Sequence, residues 1–226
     1  MGGITVDFFE EIGRQLNVKI DWSTEMSPAH AFADLDANRF DVACLPYFIT
    51  PARARETLFM APFLFHPSYL YVRADETRFD NNYTAANSPD VTFATLDGEF
   101  SSIGAAETFP KAKKLALPQN TAGSDLFLSV IDKKADAVLM EPITFAAFDA
   151  TNPGKMKRAE GTPVNVMAGS FPLPSKEYDL KNVLDATLIY LQGTGALDAL
   201  LDKHQLPTFK FLRLPRPYTD PNVKDN

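Results

Sequence analysis

Ile49-Thr50-Pro51-Ala52-Arg53-Ala54-Arg55, followed closely by Phe59-Met60-Ala61-Pro62-Phe63, is the stretch on which the reading of this chain turns. Thr50-Pro51 has the chemistry of a helix start. A hydroxyl at the N-cap accepts from a backbone N–H of the first turn, and a proline at the next position gives up only an N–H that would lack a partner anyway. The short helix so begun carries Arg53, whose guanidinium is a planar fork matched to a carboxylate. An arginine in an exposed first turn is ordinarily solvated or loosely paired, at about 0–1 kcal/mol. Its meaning therefore depends on the segments around it. Arg55 faces elsewhere on the helix and reads as a surface residue.

Upstream, Val6, Phe8, Phe9, Ile12 and Leu16 form a helical stripe, with Asp7, Glu10 and Glu11 placing acid in the first turns as the helix dipole favours. Val18 to Trp22 alternates like a short strand. Ser27-Pro28 repeats the N-cap and proline pairing and starts a helix that carries Phe32 and Leu35 inward and ends near Asn38. Phe40 to Leu45 reads as a buried strand. These β-α-β units with short connections predict parallel strands covered by helices, an α/β fold.

Downstream, Tyr69 to Arg73 reads as a strand, and the Asn-rich stretch from Asp75 to Asp90 has no apolar period, which marks a lobe boundary. A second β/α run follows: strand Val91–Leu96, helix Ser102–Phe109, strand Leu115–Leu117, helix Gly123–Lys134, strand Ala137–Met140 and helix Pro142–Asp149. Val164 to Met167 is a strand leading into Phe171-Pro172-Leu173-Pro174, where the chain crosses back. Leu180–Leu191 and Ala196–His204 are amphipathic helices split by Gly193-Thr194-Gly195, and Phe209 to Leu214 alternates as a final strand. The division expected is 1–74 and 169–226 for one lobe and 75–168 for the other.

With 226 residues there is length for two lobes, each with a core. A net charge of −7 with scattered Lys and Arg argues against a nucleic-acid partner. No apolar run is long enough to span a bilayer. The N-terminal Met1-Gly2-Gly3-Ile4 lacks the basic start and apolar stretch of an export signal. The single Cys44 lies in an apolar run and reads as a small buried hydrophobe. His30, His66 and His204 are far apart in sequence, so no metal and no cofactor are expected. There is no G-x-G-x-x-G, Walker loop, G-x-S-x-G elbow or H-E-x-x-H pattern.

Four segments stand in order: Gly3-Ile4-Thr5-Val6-Asp7-Phe8-Phe9-Glu10-Glu11-Ile12, Asn38-Arg39-Phe40-Asp41-Val42-Ala43, the Ile49 to Phe63 stretch, and Lys134-Ala135-Asp136-Ala137-Val138-Leu139-Met140-Glu141. In this order and spacing the chain resembles the bacterial extracellular solute-binding proteins of family 3, the amino-acid-binding components of ABC importers. The resemblance implies a two-lobed, type II periplasmic-binding-protein-like fold, its lobes joined by two crossover strands and closing on a ligand in the cleft. It implies a periplasmic or extracellular monomer that captures a small amino acid or carboxylate for an ABC permease. Arg53 occupies the position that binds the α-carboxylate and Glu141 the position that binds the α-amino group. For Glu141, capping of the following helix is the competing role. Asp7 and Asp41 match family positions as well, with structural roles expected for both.

Two departures bear on the ligand. Where the family usually has Ser or Thr before the Ile-Thr pair, this chain has Phe48, which keeps a backbone N–H but offers no hydroxyl. Where it often has Gly-Thr-Thr in the second lobe, Gly98 is followed by Glu99, Phe100, Ser101 and Ser102. Tyr47, Phe48 and Phe100 are candidates for an apolar pocket wall and Ser101 for a polar contact. The family normally begins with a strand and an aromatic-bearing loop before the first helix. Either the chain is truncated there, or the order is permuted and residues 208–218 supply the strand, bringing Tyr218 to the ligand. An enzymatic alternative exists on the same fold, in the cyclohexadienyl dehydratases, with Glu141 as general acid. A sensory ligand-binding module is a further reading.

Overall fold

The computed structural model describes residues 2–23, 30–205 and 211–214. The chain forms two compact units, one from Met1–Phe65 with Ala168–Asn226, the other from His66–Met167. It passes from the first to the second within one strand and returns within another, β3 (Leu64–Arg73) and β8 (Asn165–Ser170).

In the first unit, α1 (Ile4–Leu16) buries Phe8, Phe9 and Ile12 and ends at Asn17, whose left-handed backbone turns its N–H back to the Gly13 and Arg14 carbonyls. Helix α2 (Ala31–Asp36) buries Ala31 and Leu35. Strand β1 (Tyr47–Phe48) pairs antiparallel with β8, Tyr47 against Ser170 and Phe48 against Gly169. After α3 (Pro51–Ala54), β2 (Leu58–Phe59) pairs with β9 (Pro172–Leu173). The Ser170 hydroxyl donates to the carbonyls of Met60 (2.7 Å) and Ala61 (3.0 Å), and Thr57 donates to the Leu173 carbonyl, tying this corner together. Helices α7 (Tyr178–Gly193) and α8 (Ala196–Lys203) close the core with Leu184, Leu188, Leu191, Leu197 and Leu201. At its centre Phe8 meets Phe63 at 4.4 Å and Phe171 at 5.5 Å, and Phe9 meets Phe171 edge-on at 4.8 Å. Asp7 accepts from Lys203 (2.6 Å) and lies 2.7 Å from His204 Nε2, so it ties α1 to the end of α8.

The second unit is an open sheet in the order β7-β3-β6-β4-β5, comprising β4 (Thr92–Leu96), β5 (Lys113–Leu117), β6 (Ala137–Met140) and β7 (Met156–Arg158) with β3. β4 pairs in parallel with both β5 and β6, and β3 pairs antiparallel with β6 and β7. The parallel strands need crossover helices: α4 (Phe100–Thr108) links β4 to β5, and α5 (Gly123–Ile131) links β5 to β6. Strand alternation assigns their faces. Ala94 and Val138 share a core with Leu126, Phe127 and Val130 of α5, whereas Leu139 lies over Gly104 of α4 and Phe93 stacks on Phe109 at 4.9 Å. Helix α6 (Pro142–Asp149) joins the α5 face, with Phe145 stacked on Tyr71 at 4.2 Å.

Several sequence expectations differ from what is observed. Val18–Trp22 and Phe40–Leu45 were expected to be strands, and neither is one; alternation orients side chains but a strand also needs a ladder partner. The Phe40–Leu45 segment makes its described cross-chain backbone bond from the Ala43 N–H to the Pro172 carbonyl, 3.0 Å. The Asp75–Asp90 stretch lies inside the second unit, held by Phe79, buried at 1% exposure, and by the Asn81 N–H on the Glu160 carbonyl. The contact division falls earlier, between Phe65 and His66. Of the expected final strand only Phe211–Leu214 is described: Leu212 bridges Phe65 antiparallel, and Phe211 and Leu214 pack on the first unit's core. Tyr218, the rest of 208–218 and the Ser27-Pro28 helix start lie outside the described residues.

Candidate functional site

In the first unit the chain brings Tyr47, Phe48 and Arg53 together. β1 is fixed by its pairing with β8, and the Ile49 N–H continues the register onto the Ala168 carbonyl at 3.0 Å. Thr50 then caps α3 as its sequence predicts, its hydroxyl accepting from the Arg53 N–H at 3.3 Å. This turn doubles the chain back, so Arg53 Nη1 donates to the Phe48 carbonyl at 3.2 Å. The guanidinium carbon lies 5.4 Å from the Tyr47 ring centre and 5.7 Å from that of Phe32, and these two rings meet edge-on at 5.0 Å. Each ring contributes a cation–π attraction of about 0.5–1 kcal/mol at a partly exposed site. Arg53 is half-buried and held by backbone and ring faces, while Arg55 is exposed. A fork fixed in this way has lost its conformational freedom before any anion arrives. Phe48, which departs from the family pattern by its side chain, contributes a carbonyl to the arginine.

In the second unit the remaining described candidates follow the C-terminal ends of two adjacent interior strands, β4 and β6. The chain leaves β4 through Asp97 and Gly98, where φ of +72° is a conformation that glycine adopts without strain, and enters α4 at Glu99. Ser101 is buried, and its hydroxyl accepts from the Leu96 N–H at 3.0 Å, closing the turn. The Phe100 ring lies against Gly104, where an added Cβ would come within 2.9 Å of it. Glu141 follows β6 directly and occupies the N-cap of α6, yet its side chain makes no bond to the N–H groups of that first turn. β4 and β6 are adjacent and parallel, so Glu99 and Glu141 emerge at neighbouring C-terminal ends. α4 leads from β4 to β5 on one side, whereas the connection through α5 returns across β4 to β6 on the other. The crevice between β4 and β6 is therefore a topological switch point, where open α/β sheets bind ligands.

Burial pushes the Glu141 carboxyl up from its usual 4.5, and the negative charge of Glu99 pushes the same way. Hydrogen bonds from the Thr144 hydroxyl and from its own backbone N–H pull it down, with a smaller effect than burial. A carboxyl raised in the folded state favours its protonated form there. Its contribution is thus most favourable at low pH and is lost as pH rises from 4.5 through the raised value. Glu141→Gln, neutral at every pH, is expected to melt higher than wild type above that window and to lack this part of the pH dependence. Melting curves of the two proteins from about pH 4 to 8 check it; a constant difference across the range would contradict it.

Thr144 also lines a cavity of about 410 Å3 between α5 and α6, floored by Phe127 and Phe148, whose rings stack at 4.7 Å. Among the described residues no group of three or more His, Cys, Asp or Glu side chains is placed to hold a metal ion. Burial raises the Cys44 thiol to about 11, the behaviour of an inert structural cysteine. No described helix is long and apolar enough to cross a membrane.

A chain that crosses twice between two units, one of them built on an open sheet with helices on both faces, has the mixed α/β fold of the type II periplasmic-binding-protein class. Solved structures share this fold. A putative binding component of an ABC transporter from Wolinella succinogenes DSM 1740, complexed with lysine, has a TM-score of 0.77 at 20% identity, covering 92% of this chain and 87% of its own. The ancestral amino acid-binding protein AncCDT-1, a precursor of cyclohexadienyl dehydratase, has a TM-score of 0.72 at 22% identity, covering 89% and 84%. Holo ArgBP from T. maritima has 0.68 at 23%, covering 89% and 84%. A search of curated proteins found no match. Residues 1–207 match the family model of the bacterial extracellular solute-binding proteins, family 3, and the chain belongs to that family. Its role is solute binding.

Proposed function

We propose that the protein is the extracytoplasmic receptor of an ABC-type importer and captures a small amino acid or related carboxylate. Arg53 takes the ligand's carboxylate as a bidentate partner and Glu141 takes its ammonium. The observation that carries this reading is the preorganised Arg53, whose fork is held by the Phe48 carbonyl and the Tyr47 and Phe32 rings. Arg53 belongs to the first unit and Glu141 to the second. Tyr47, Phe48, Phe100 and Ser101 shape the surroundings of these two groups. Family membership supports the import role, and amino-acid binding among the structural neighbours supports the ligand class.

A thermal-shift screen of the amino acids and their carboxylate analogues tests the proposal. A ligand at 100 times its Kd adds about 2.7 kcal/mol of apparent stability, enough to raise the melting point visibly. No shift with any α-amino acid would overturn it. The raised Glu141 carboxyl favours one other reading, general-acid elimination of water and CO2 from a cyclic carboxylic acid. Incubation with such a substrate would reveal it by the appearance of aromatic absorbance.

A further inference from the structure

Helix α7 of the first unit is apolar on two faces. One face carries Leu184, Leu188 and Leu191 into the core. The other carries Val183, Ala186, Ile189 and Tyr190, all exposed, at spacings of three to four residues that place them on one stripe. Val183 is 46% exposed, Tyr190 55% and Ile189 63%, so these large side chains leave much of their apolar surface outside the unit. A single exposed apolar residue is ordinary. Three on one stripe form a patch, and a second apolar stripe is what a helix carries when it packs on two sides.

Opposite charges bound the patch at its two ends. At the N-terminal end Asp179 is exposed on the same stripe, and its carboxylate has no hydrogen-bond or ion-pair partner among the described residues. At the C-terminal end Arg14, in the last turn of α1, lies within electrostatic range of Tyr190; its side chain, paired with Glu11, is 67% exposed. Two copies of α7 laid parallel would set acid against acid and arginine against arginine. Laid antiparallel about a two-fold axis at Ala186, they set each Asp179 toward the end where the other copy's Arg14 stands. Val183 lies three residues before the axis and Tyr190 four after it, so each meets the other across the contact, twice over. Ala186 meets itself, and its small side chain lets the helices approach closely. A surface that complements its own two-fold image is an isologous interface.

We propose that the exposed face of α7 is a self-association surface, and that its occupant is a second copy of this chain running antiparallel across Ala186. A contact made by one helix face falls below the roughly 1,200 Å2 of stable interfaces, so the dimer is a weak one, with a Kd of about 10 μM to 1 mM. The monomer implied by the family resemblance is then the dilute state. None of the residues assigned to the ligand takes part, so this surface and the proposed function stand or fall separately.

Sedimentation equilibrium at low salt, from about 5 μM to 1 mM protein, tests the proposal. The average mass of wild type is expected to rise from that of one chain toward that of two. Ala186→Lys keeps a good helix former at an exposed position but places two ammonium groups at the two-fold axis. It is expected to weaken the dimer about tenfold or more while melting as wild type does when dilute. Asp179→Arg is expected to weaken it about threefold or more, and Asp179→Arg combined with Arg14→Asp to restore most of that loss, because the reversed charges again meet across the axis. Wild type that stays monomeric at about 1 mM overturns the proposal and leaves the face to a different partner. A dimer that Ala186→Lys leaves intact overturns it too, since another surface would then hold the copies together. A double variant no tighter than Asp179→Arg alone contradicts the antiparallel arrangement.

Discussion

Arg53→Ala is expected to weaken amino-acid binding by about 30-fold or more, because truncating one partner of a desolvated, hydrogen-bonded charge pair costs about 2–5 kcal/mol. The loss should be selective for ligands with a free carboxylate. The fold should survive it. The Thr50 hydroxyl accepts from the backbone N–H of residue 53, which alanine retains, so α3 keeps its cap. The Tyr47 and Phe32 rings still pack edge-on against each other. Arg53→Lys separates charge from geometry. It keeps the cation but replaces the planar fork with a point donor, and is expected to fall between wild type and alanine. Calorimetry reads both variants, and affinity unchanged in Arg53→Ala would remove the arginine from the site.

Phe171→Ala carries the largest expected effect on stability. Phe171 is fully buried, next to β9, with Phe8, Phe9 and Phe63 all within 5.5 Å of its ring centre. A cavity in such a cluster costs about 3–5 kcal/mol, since the rings that line it come from two separate chain segments and can relax only in part. For a protein of this size that corresponds to a fall in melting temperature of roughly 6–20 °C. Arg14→Ala is the natural control, because it removes only an exposed pair with Glu11 within α1. That variant should melt within about 2 °C of wild type. A Phe171→Ala protein that melted as the control does would mean that the aromatic cluster is not the core of the first unit.

The features that sequence alone made readable are those decided by local chemistry. Thr50-Pro51 announced α3 and its cap because hydroxyl capping and proline at the first helical position are both local events. The bounds expected for α6, Pro142–Asp149, are those observed, fixed by the same kind of proline. Apolar spacing located α1 and α7 because a helix satisfies its own backbone. Strands are less readable, as Val18–Trp22 and Phe40–Leu45 illustrate: their alternation is present, but their partners lie elsewhere in the chain. Strand β3 runs from Leu64 rather than Tyr69, and His66-Pro67 concealed its first half. The pairs β2 and β9 are two residues long, too short for any period to register.

The proposed site divides along the same line. Arg53 was legible through its cap and its place among the motif segments, and Glu141 through the strand that ends in it. The anchoring of Arg53 was not, because a bond to the Phe48 carbonyl depends on how tightly α3 folds back on β1. Glu99 resembled any polar residue in a turn. The strand order β6-β4-β5 brings the C-terminal ends of β4 and β6, and so Glu99 and Glu141, to neighbouring positions, and that order is a property of the folded sheet.

The central claim is that this protein recognises an amino acid by its carboxylate through Arg53. Calorimetric titration of the wild-type protein with L-lysine and with its decarboxylated counterpart, a diamine of the same chain length, tests it most directly. The two probes share their cations and differ in the group that Arg53 is assigned. L-Lysine is expected to bind, and the diamine to bind about 30-fold or more weakly, matching the loss in Arg53→Ala. Equal affinity for the two, or a diamine preferred over the amino acid, would contradict the account.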